Sequence, residues 1–179
     1  EVPDYPVHLF FTRDGYFKKI TPLSLRMGGE QKLKEGDELV STVETTNRAE
    51  LLFFTDKCQV YKSKASEFED SKASVLGDFV PSKLGFEADE KPLCMIVTTD
   101  YSGFMMFFFE NGKVAKVEMS SYETKTNRKK LLKAYSDKSE ITAFAHIEED
   151  REFVLTSSNG RFLLMNSAVI ASKTTKDTQ

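Results

Sequence analysis

The sequence has no tryptophan, only two cysteines and no long apolar run, and the last two shortages each exclude a class of protein. The longest unbroken apolar stretch is the six residues Phe104 to Phe109, whereas a membrane-spanning helix needs about 20 residues. Cys58 and Cys94 are too few for a disulfide framework. Each lies in an apolar run, so we expect buried free thiols in a reducing compartment. These features predict a cytoplasmic protein without a membrane partner.

Charge of either sign is nearly balanced, with 25 Lys and Arg against 28 Asp and Glu and a net charge of −3. This balance excludes a surface that is basic throughout, but it allows a local basic stripe. The segment from Arg13 to Lys34 contains six basic and two acidic residues. The segment from Lys113 to Lys133 contains seven basic and two acidic residues. Residues 140–152 hold five acids and one Arg. Positive charge is therefore concentrated in particular segments.

Enzyme signatures are also missing. His8 and His146 are the only histidines, and no zinc-protease, phosphate-loop or nucleophile-elbow motif accompanies them. Acidic residues cluster in four places, which we interpret as solvated loops: 35–38, 67–70, 87–90 and 148–152. We find no catalytic constellation and no metal site.

Four segments repeat one pattern, in which an apolar run is followed by a polar turn and a second short run. The turn residues are Gly15, Cys58, Gly112 and Gly160, so the spacings are 43, 54 and 48 residues. Repeats of about 40–50 residues are typical of propeller blades. Asp-Gly and Asn-Gly favour hairpins because tight turns need positive φ, and at Cys58 we expect a different turn geometry. The pattern predicts an all-β, propeller-like fold with about four blades.

The chain divides into four repeats of a single domain or domain fragment, with approximate bounds 5–48, 49–90, 91–138 and 139–179. Segments rich in β-branched and aromatic residues predict further strands between the hairpins; they are 38–43, 93–97 and 141–145. Leu131, Leu132 and Tyr135 are spaced for one helical face and predict a short helix over 127–135, with a basic loop as the alternative.

Lysines occupy one register of the repeats. Lys19, Lys62 and Lys116 each follow the turn residue by four positions, whereas the fourth repeat has Leu164 there. On a closed array such lysines would line one rim and could contact successive DNA phosphates. Alternatively, they only keep edge strands soluble. The pattern leaves both interpretations open.

The hairpin sequences resemble a known family. They include Phe10 to Lys19, Leu51 to Lys62 and Phe108 to Lys116, together with the loop Glu69 to Gly77. In order and spacing the chain is similar, over essentially its whole length, to the C-terminal DNA-wrapping domain of the bacterial type IIA topoisomerase A subunit, found in DNA gyrase and topoisomerase IV. The resemblance implies a β-pinwheel, a disc whose blades exchange strands, with duplex DNA bent around a basic outer edge.

The resemblance also implies site residues and partners. The loop after each hairpin is the DNA-contacting element of the family, and here those loops supply Arg26, Lys32, Lys34, Lys72, Lys125, Arg128, Lys129, Lys130, Lys173 and Lys176. The implied partners are duplex DNA, the topoisomerase B subunit, and the second copy in an A-subunit dimer, all within a cytoplasmic, nucleoid-associated enzyme. The nucleophilic tyrosine, ATP and Mg²⁺ belong to other parts of that enzyme, so this chain is expected to hold no catalytic residue and no cofactor. Tyr16 and Tyr61 are interpreted as packing residues.

Two features separate the chain from gyrase. The gyrase members of the family carry a Gln-Arg-Arg-Gly-Gly-Lys-Gly-like box, whereas Arg26 to Lys32 keeps the paired glycines with fewer positive charges. Gyrase discs commonly have six blades, so we expect this chain to be part of a longer domain. The choice between gyrase and topoisomerase IV stays open. The alternative function is a non-catalytic propeller scaffold for protein interactions.

Overall fold

The computed structural model describes residues 1–174, and within them the chain is nearly all β. The strands are β1 (Pro6–Thr12), β2 (Tyr16–Ile20), β3 (Leu39–Thr46), β4 (Glu50–Thr55), β5 (Val60–Lys64), β6 (Asp78–Phe79), β7 (Pro92–Thr98), β8 (Phe104–Phe109), β9 (Val114–Glu118), β10 (Lys130–Leu131), β11 (Ile141–Ile147), β12 (Glu152–Thr156), β13 (Phe162–Asn166) and β14 (Ser172–Lys173). The helices are α1 (Pro22–Met27) and α2 (Val80–Leu84), and 3₁₀ turns lie at Ala65–Glu67, Met119–Tyr122 and Ser167–Val169. The predicted all-β class is confirmed.

The four predicted hairpins all form, as the antiparallel pairs β1–β2, β4–β5, β8–β9 and β12–β13. Gly15, Gly112 and Gly160 adopt positive φ in their turns, as tight hairpin turns require. The expectation of a different turn at Cys58 is wrong. Cys58 also has positive φ, at 56°, and its N–H donates to the Thr55 carbonyl at 3.3 Å. The local hydrogen bond thus holds a non-glycine residue in the left-handed region.

Three sheets share one strand order, although the exchanged edge strand is antiparallel in the first two and parallel in the third. Their strand orders are β3-β1-β2-β6, β7-β4-β5-β10 and β11-β8-β9-β14, and β12-β13 forms the fourth sheet among the described residues. In each four-stranded sheet the hairpin lies in the centre, and the strand on one edge comes from the loop after the next hairpin. This exchange covers an edge that would otherwise present unpaired N–H and C=O groups.

The exchanged strand β10 replaces the helix predicted over 127–135. Lys130 pairs with Tyr61, and Leu131 pairs with Val60 and is buried. The helical spacing of Leu131, Leu132 and Tyr135 is misleading, because pairing with the free edge of β5 outweighs a weak helix propensity. Only five residues of this segment, 128–132, belong to the same compact unit as β5.

The chain forms two compact units. Among the described residues, unit 1 comprises 1–99 and 128–132, and unit 2 comprises 100–127 and 133–174. The core of unit 1 is aromatic and includes Phe11, Phe17 and Phe53, with the rings of Phe11 and Phe53 5.4 Å apart. In unit 2, Met106 and Phe108 pack with residues that include Phe153.

The same hydrogen bond fastens the start of each 3₁₀ turn to the residue that precedes its hairpin. The backbone N–H of the first residue in each turn donates to the carbonyl of the residue before the hairpin, at 2.9 Å in each case. The donor–acceptor pairs are Ala65–Ala49, Met119–Gly103 and Ser167–Arg151. The turn therefore returns to the beginning of its own hairpin in all three repeats. It provides a fixed set of backbone carbonyls at an equivalent place in each repeat.

At Gly77 the loop after β5 packs closely on β2, and a substitution there tests this packing. Its φ is +94°, and a Cβ there would lie 2.3 Å from the Phe17 carbonyl oxygen and 2.6 Å from Cγ of Lys18. We expect Gly77→Ala to lower the free energy of unfolding by at least about 3 kcal/mol. Gly85 also has positive φ, at +69°, but open space around it, so Gly85→Ala should cost only about 1 kcal/mol. Urea denaturation measures both, and equal losses would contradict the packing argument.

Candidate nucleic-acid interface

The helix α1 and two neighbouring loops of unit 1 carry four of the predicted cations. Arg26, Lys32 and Lys34 lie on α1 and the loop that follows it, and Lys72 lies on the loop after β5. The loops touch, since the Lys32 N–H donates to the Ala73 carbonyl at 2.8 Å. All four basic side chains are exposed. We call Arg26, Lys32, Lys34 and Lys72 the first basic surface.

A buried cation beneath this surface holds the two loops together. Lys18 is only 2% exposed, and its ammonium donates to the carbonyls of Lys32 (3.2 Å), Ala73 (3.1 Å) and Val75 (2.9 Å). An ammonium group has three donors, and each one meets an acceptor here. Burial lowers the pKa of Lys18 below its ordinary value. Sequence reasoning missed this residue, and the available signal was a lysine inside an otherwise apolar hairpin strand.

Lys19, which was predicted to contact DNA, is also buried, with 2% exposure. Its ammonium donates to Oδ1 of Asn47 at 2.7 Å and to the carbonyl of Ala65 at 3.0 Å. The carboxylate of Asp70 lies 3.5 Å away. Burial lowers the pKa of Lys19, and Asp70 offsets part of that effect. The side chain therefore reaches from β2 to the 3₁₀ turn of the second repeat.

Lys116 repeats this arrangement in unit 2. Its ammonium lies 2.7 Å from Oδ1 of Asp150 and 3.3 Å from the Ser167 carbonyl, and it sits 4.4 Å from the centre of the Phe104 ring. Hydrogen bonds from Lys116 and Ser167 hold the pKa of Asp150 below its usual value. Ala65 and Ser167 are the first residues of their 3₁₀ turns, so equivalent lysines bind equivalent carbonyls.

The lysine register was read correctly from the sequence, but the predicted exposed rim is not made by these residues. Lys19, Lys62 and Lys116 are between 2% and 8% exposed, so they can neither reach a phosphate nor solubilise an edge strand. We therefore remove Lys19, Lys62 and Lys116 from the candidate DNA-contacting residues. Leu164, at the same register in the fourth repeat, is 63% exposed.

The basic segment before and within β10 carries a second group of candidates. Lys125 lies in unit 2, and Arg128, Lys129 and Lys130 lie in unit 1; Lys125, Arg128 and Lys129 are exposed, and Lys130 is half-buried. Two of these cations have acidic partners. Lys129 Nζ lies 3.4 Å from Oε1 of Glu67, and Lys130 Nζ lies 3.5 Å from Oε2 of Glu87. A phosphate that approaches Lys129 or Lys130 would have to compete with these carboxylates.

The carboxyl groups of Glu67 and Glu87 both have pKa values below the ordinary value. Burial raises the pKa of Glu67, but the Ser63 hydroxyl and Lys129 together bring it below the usual value. The Gln59 amide and then Lys130 lower the pKa of Glu87. Both groups are therefore ionised at neutral pH, and each can neutralise its lysine.

The neighbouring Glu90 corrects the expectation that all acidic clusters are solvated loops. It is 4% exposed and accepts hydrogen bonds from Thr55 Oγ1 and Tyr61 Oη, both at 2.6 Å, and from the Glu87 N–H at 3.0 Å. Burial and the Glu90 carboxylate raise the pKa of Tyr61. The Tyr61 ring stacks on Phe86 with centroids 4.1 Å apart, which agrees with its predicted packing role.

The remaining candidates have simpler surroundings. Lys173 is exposed in β14, which pairs in parallel with β9, and Lys176 lies outside the described residues. His146 makes a hydrogen bond to the Ser102 carbonyl at 3.0 Å, and Cys58 and Cys94 are half-buried. Within residues 1–174 no group of three or more His, Cys, Asp or Glu side chains could hold a metal ion. No helix in that range is long and apolar enough to cross a bilayer.

Replacing Lys18 tests whether the buried ammonium holds the first basic surface together. Lys18→Met leaves three carbonyls without their lysine donor, so we expect a loss of about 2–4 kcal/mol in the free energy of unfolding. We also expect faster hydrogen exchange at the Lys32 amide. Lys72→Met removes an exposed lysine from the same loop and should change stability by less than about 0.5 kcal/mol. Equal behaviour of the two variants would show that Lys18 does not organise the loops.

Comparison with known proteins identifies relatives of this chain. No protein-family model matches it. The DNA topoisomerase 4 A subunit of Staphylococcus aureus is 24% identical over 175 residues, which cover 95% of this chain and 22% of the relative. The chain is homologous to this component of topoisomerase IV. It spans about a fifth of the length of the relatives that it matches.

Solved structures show the same fold. The C-terminal domain of DNA topoisomerase IV matches 99% of this chain and 56% of its own length, with a TM-score of 0.84 and 23% identity. The E. coli ParC C-terminal domain matches 96% of this chain and 69% of its own, with a TM-score of 0.72 and 13% identity. The DNA gyrase A C-terminal domain matches 97% of this chain and 58% of its own length, with a TM-score of 0.61 and 15% identity. The chain thus has the β-pinwheel fold of these C-terminal domains.

Proposed function

We propose that this chain is a DNA-binding part of a type IIA topoisomerase, within its A subunit, where it holds duplex DNA through the phosphate backbone. The observation that carries the proposal is the first basic surface. Lys18 joins two loops beneath it, and the four cations above are exposed. Homology to topoisomerase IV supplies the enzyme in which such a surface would act.

The mechanism is electrostatic and independent of sequence. Each Lys or Arg that neutralises a phosphate releases condensed counterions, so affinity falls steeply as salt rises. Lysine and arginine side chains on loops can follow the backbone without reading base edges. A duplex held at several such points is bent, and its deformability then influences affinity. In the whole enzyme we propose that this bending presents DNA to the cleavage core of an A-subunit dimer, while a B subunit hydrolyses ATP with Mg²⁺.

The acidic residues of the chain limit the strength of binding. The net charge is −3, and Glu67 and Glu87 already neutralise Lys129 and Lys130. The first basic surface therefore makes the principal contact, and the β10 segment contributes once a phosphate replaces a carboxylate. We expect moderate affinity that depends strongly on salt.

Neutralising the first basic surface tests the proposal. For Lys32→Gln/Lys72→Gln we expect affinity for a duplex to fall roughly 10-fold at about 0.1 M salt, because two phosphate contacts are lost. The slope of log affinity against log salt should become shallower by about 2. Fluorescence anisotropy with two duplexes of unrelated sequence should give the same loss for both.

The matched control removes the same charge elsewhere in unit 1. Lys57 and Lys91 are exposed and lie outside the first basic surface, so Lys57→Gln/Lys91→Gln should leave the slope nearly unchanged. Equal effects of the two double variants would show that only total charge matters. If the unmodified chain binds no duplex even at low salt, the proposed function fails and the protein-interaction scaffold is favoured.

Removing the two carboxylates tests the competition at β10. Glu67→Gln/Glu87→Gln frees Lys129 and Lys130 for phosphate, so we expect affinity to rise roughly 5-fold and the salt slope to steepen by about one to two. Glu148 and Glu149 are exposed acids of unit 2, and their double replacement by Gln is a control with the same change in net charge. A salt titration that gives the same rise for both pairs would contradict a local competition.

A further inference from the structure

The helix α1 is apolar on the face that points away from the core. Leu25 packs against the buried cluster of Phe10, Ile20 and Ala73, as an amphipathic helix requires. Leu23 and Met27 are four residues apart and therefore share one helical face. They are 60% and 81% exposed. A solvent-facing pair of large apolar side chains on so short a helix calls for a contact that covers it.

An open groove lies beside this pair. Its volume is about 490 Å³, and its walls include Leu23, Met27 and Lys72. Gly28 and Gly29 also line the groove, and a Cβ on Gly29 would meet nothing within 4 Å. The absence of side chains at these two positions leaves the groove accessible from solvent.

Charge around the groove indicates the kind of partner. Lys72 lines it directly, Arg26 precedes Met27 on the same helix, and Lys32 lies on the loop that touches Ala73. The exposed Glu30 follows Gly29 and is outnumbered by these three cations. An apolar patch with a net positive border fits a ligand with a negatively charged outside and accessible apolar surfaces inside. Duplex DNA has this character, since its phosphates border grooves lined by sugars and base edges, and Leu and Met side chains can wedge between base steps.

We infer that Leu23 and Met27 form an apolar wedge that enters the minor groove of DNA held on the first basic surface. The inference rests on the proposed function and adds a contact that charge alone does not supply. Phosphate contacts by Arg26, Lys32 and Lys72 position the duplex, and the wedge opens a base step and bends the DNA locally. Because burial of apolar surface releases no counterions, the contribution of the wedge to affinity is independent of salt.

The test uses Leu23→Ala/Met27→Ala in the 179-residue chain. Alanine preserves helix propensity, and the replaced side chains are exposed, so folding should be unaffected; circular dichroism checks this. With a duplex of about 30 base pairs we expect affinity to fall roughly 5- to 10-fold at every salt concentration, with the salt slope unchanged. Energy transfer between dyes at the duplex ends should report a smaller bend.

Val154→Ala/Leu164→Ala is the matched control, because both of these apolar side chains are 63% exposed but lie in unit 2. It should leave affinity and bend unchanged. Unchanged affinity and bend in Leu23→Ala/Met27→Ala, while Lys32→Gln/Lys72→Gln binds more weakly, would overturn the wedge and leave the proposed function intact. Loss of self-association in sedimentation, with DNA binding retained, would assign the face to a second copy of the chain and also overturn the wedge. Failure of the unmodified chain to bind duplex would overturn both proposals.

Discussion

The organisation of this protein depends on lysine ammonium groups buried in hairpin strands. A charge removed from water is tolerated only where hydrogen bonds replace its hydration. Lys18 meets three backbone carbonyls, and Lys19 and Lys116 each reach the first carbonyl of the 3₁₀ turn in the following repeat. Except for the Lys32 carbonyl, these acceptors lie at least 46 residues away in sequence, so each loop must lie where its lysine can reach it. The lysines thereby connect successive repeats.

This arrangement divides the cations of the chain into two groups. Lys18, Lys19 and Lys116 in the hairpin strands are buried and bind loop carbonyls. In contrast, the loop cations Arg26, Lys32, Lys34 and Lys72 are exposed. The same residue type therefore serves either stability or the proposed contact with phosphate, according to its distance from the core. A net charge of −3 is compatible with DNA binding because cations outnumber acids between Arg13 and Lys34, where Glu30 and Asp14 are the two acidic residues.

Contacts to backbone acceptors make this fold tolerant of sequence change. The solved neighbours share 13–23% of residues with this chain and yet match nearly all of it. A lysine that binds a carbonyl places no demand on the side chain of its partner residue. The hydrogen bonds at 2.9 Å that fasten each 3₁₀ turn are also between backbone groups.

Local features of the sequence determined the hairpins, most of their turns, the all-β class and the lysine register, because alternation, Asn-Gly turns and repeat spacing act over a few residues. Whether a lysine faces solvent or a carbonyl was decided by tertiary structure, since Lys19 and Ala65 are distant in sequence and adjacent in space. The exchange of β10 into the second sheet was decided in the same way, because the free edge of β5 outweighs the weak helical pattern around Leu131. Tertiary structure also decided the ion pairs of Lys129 and Lys130, because their acidic partners lie on loops of another repeat. Charge and periodicity can be read along the chain, but the acceptors that bury or neutralise a charge exist only once the repeats have packed.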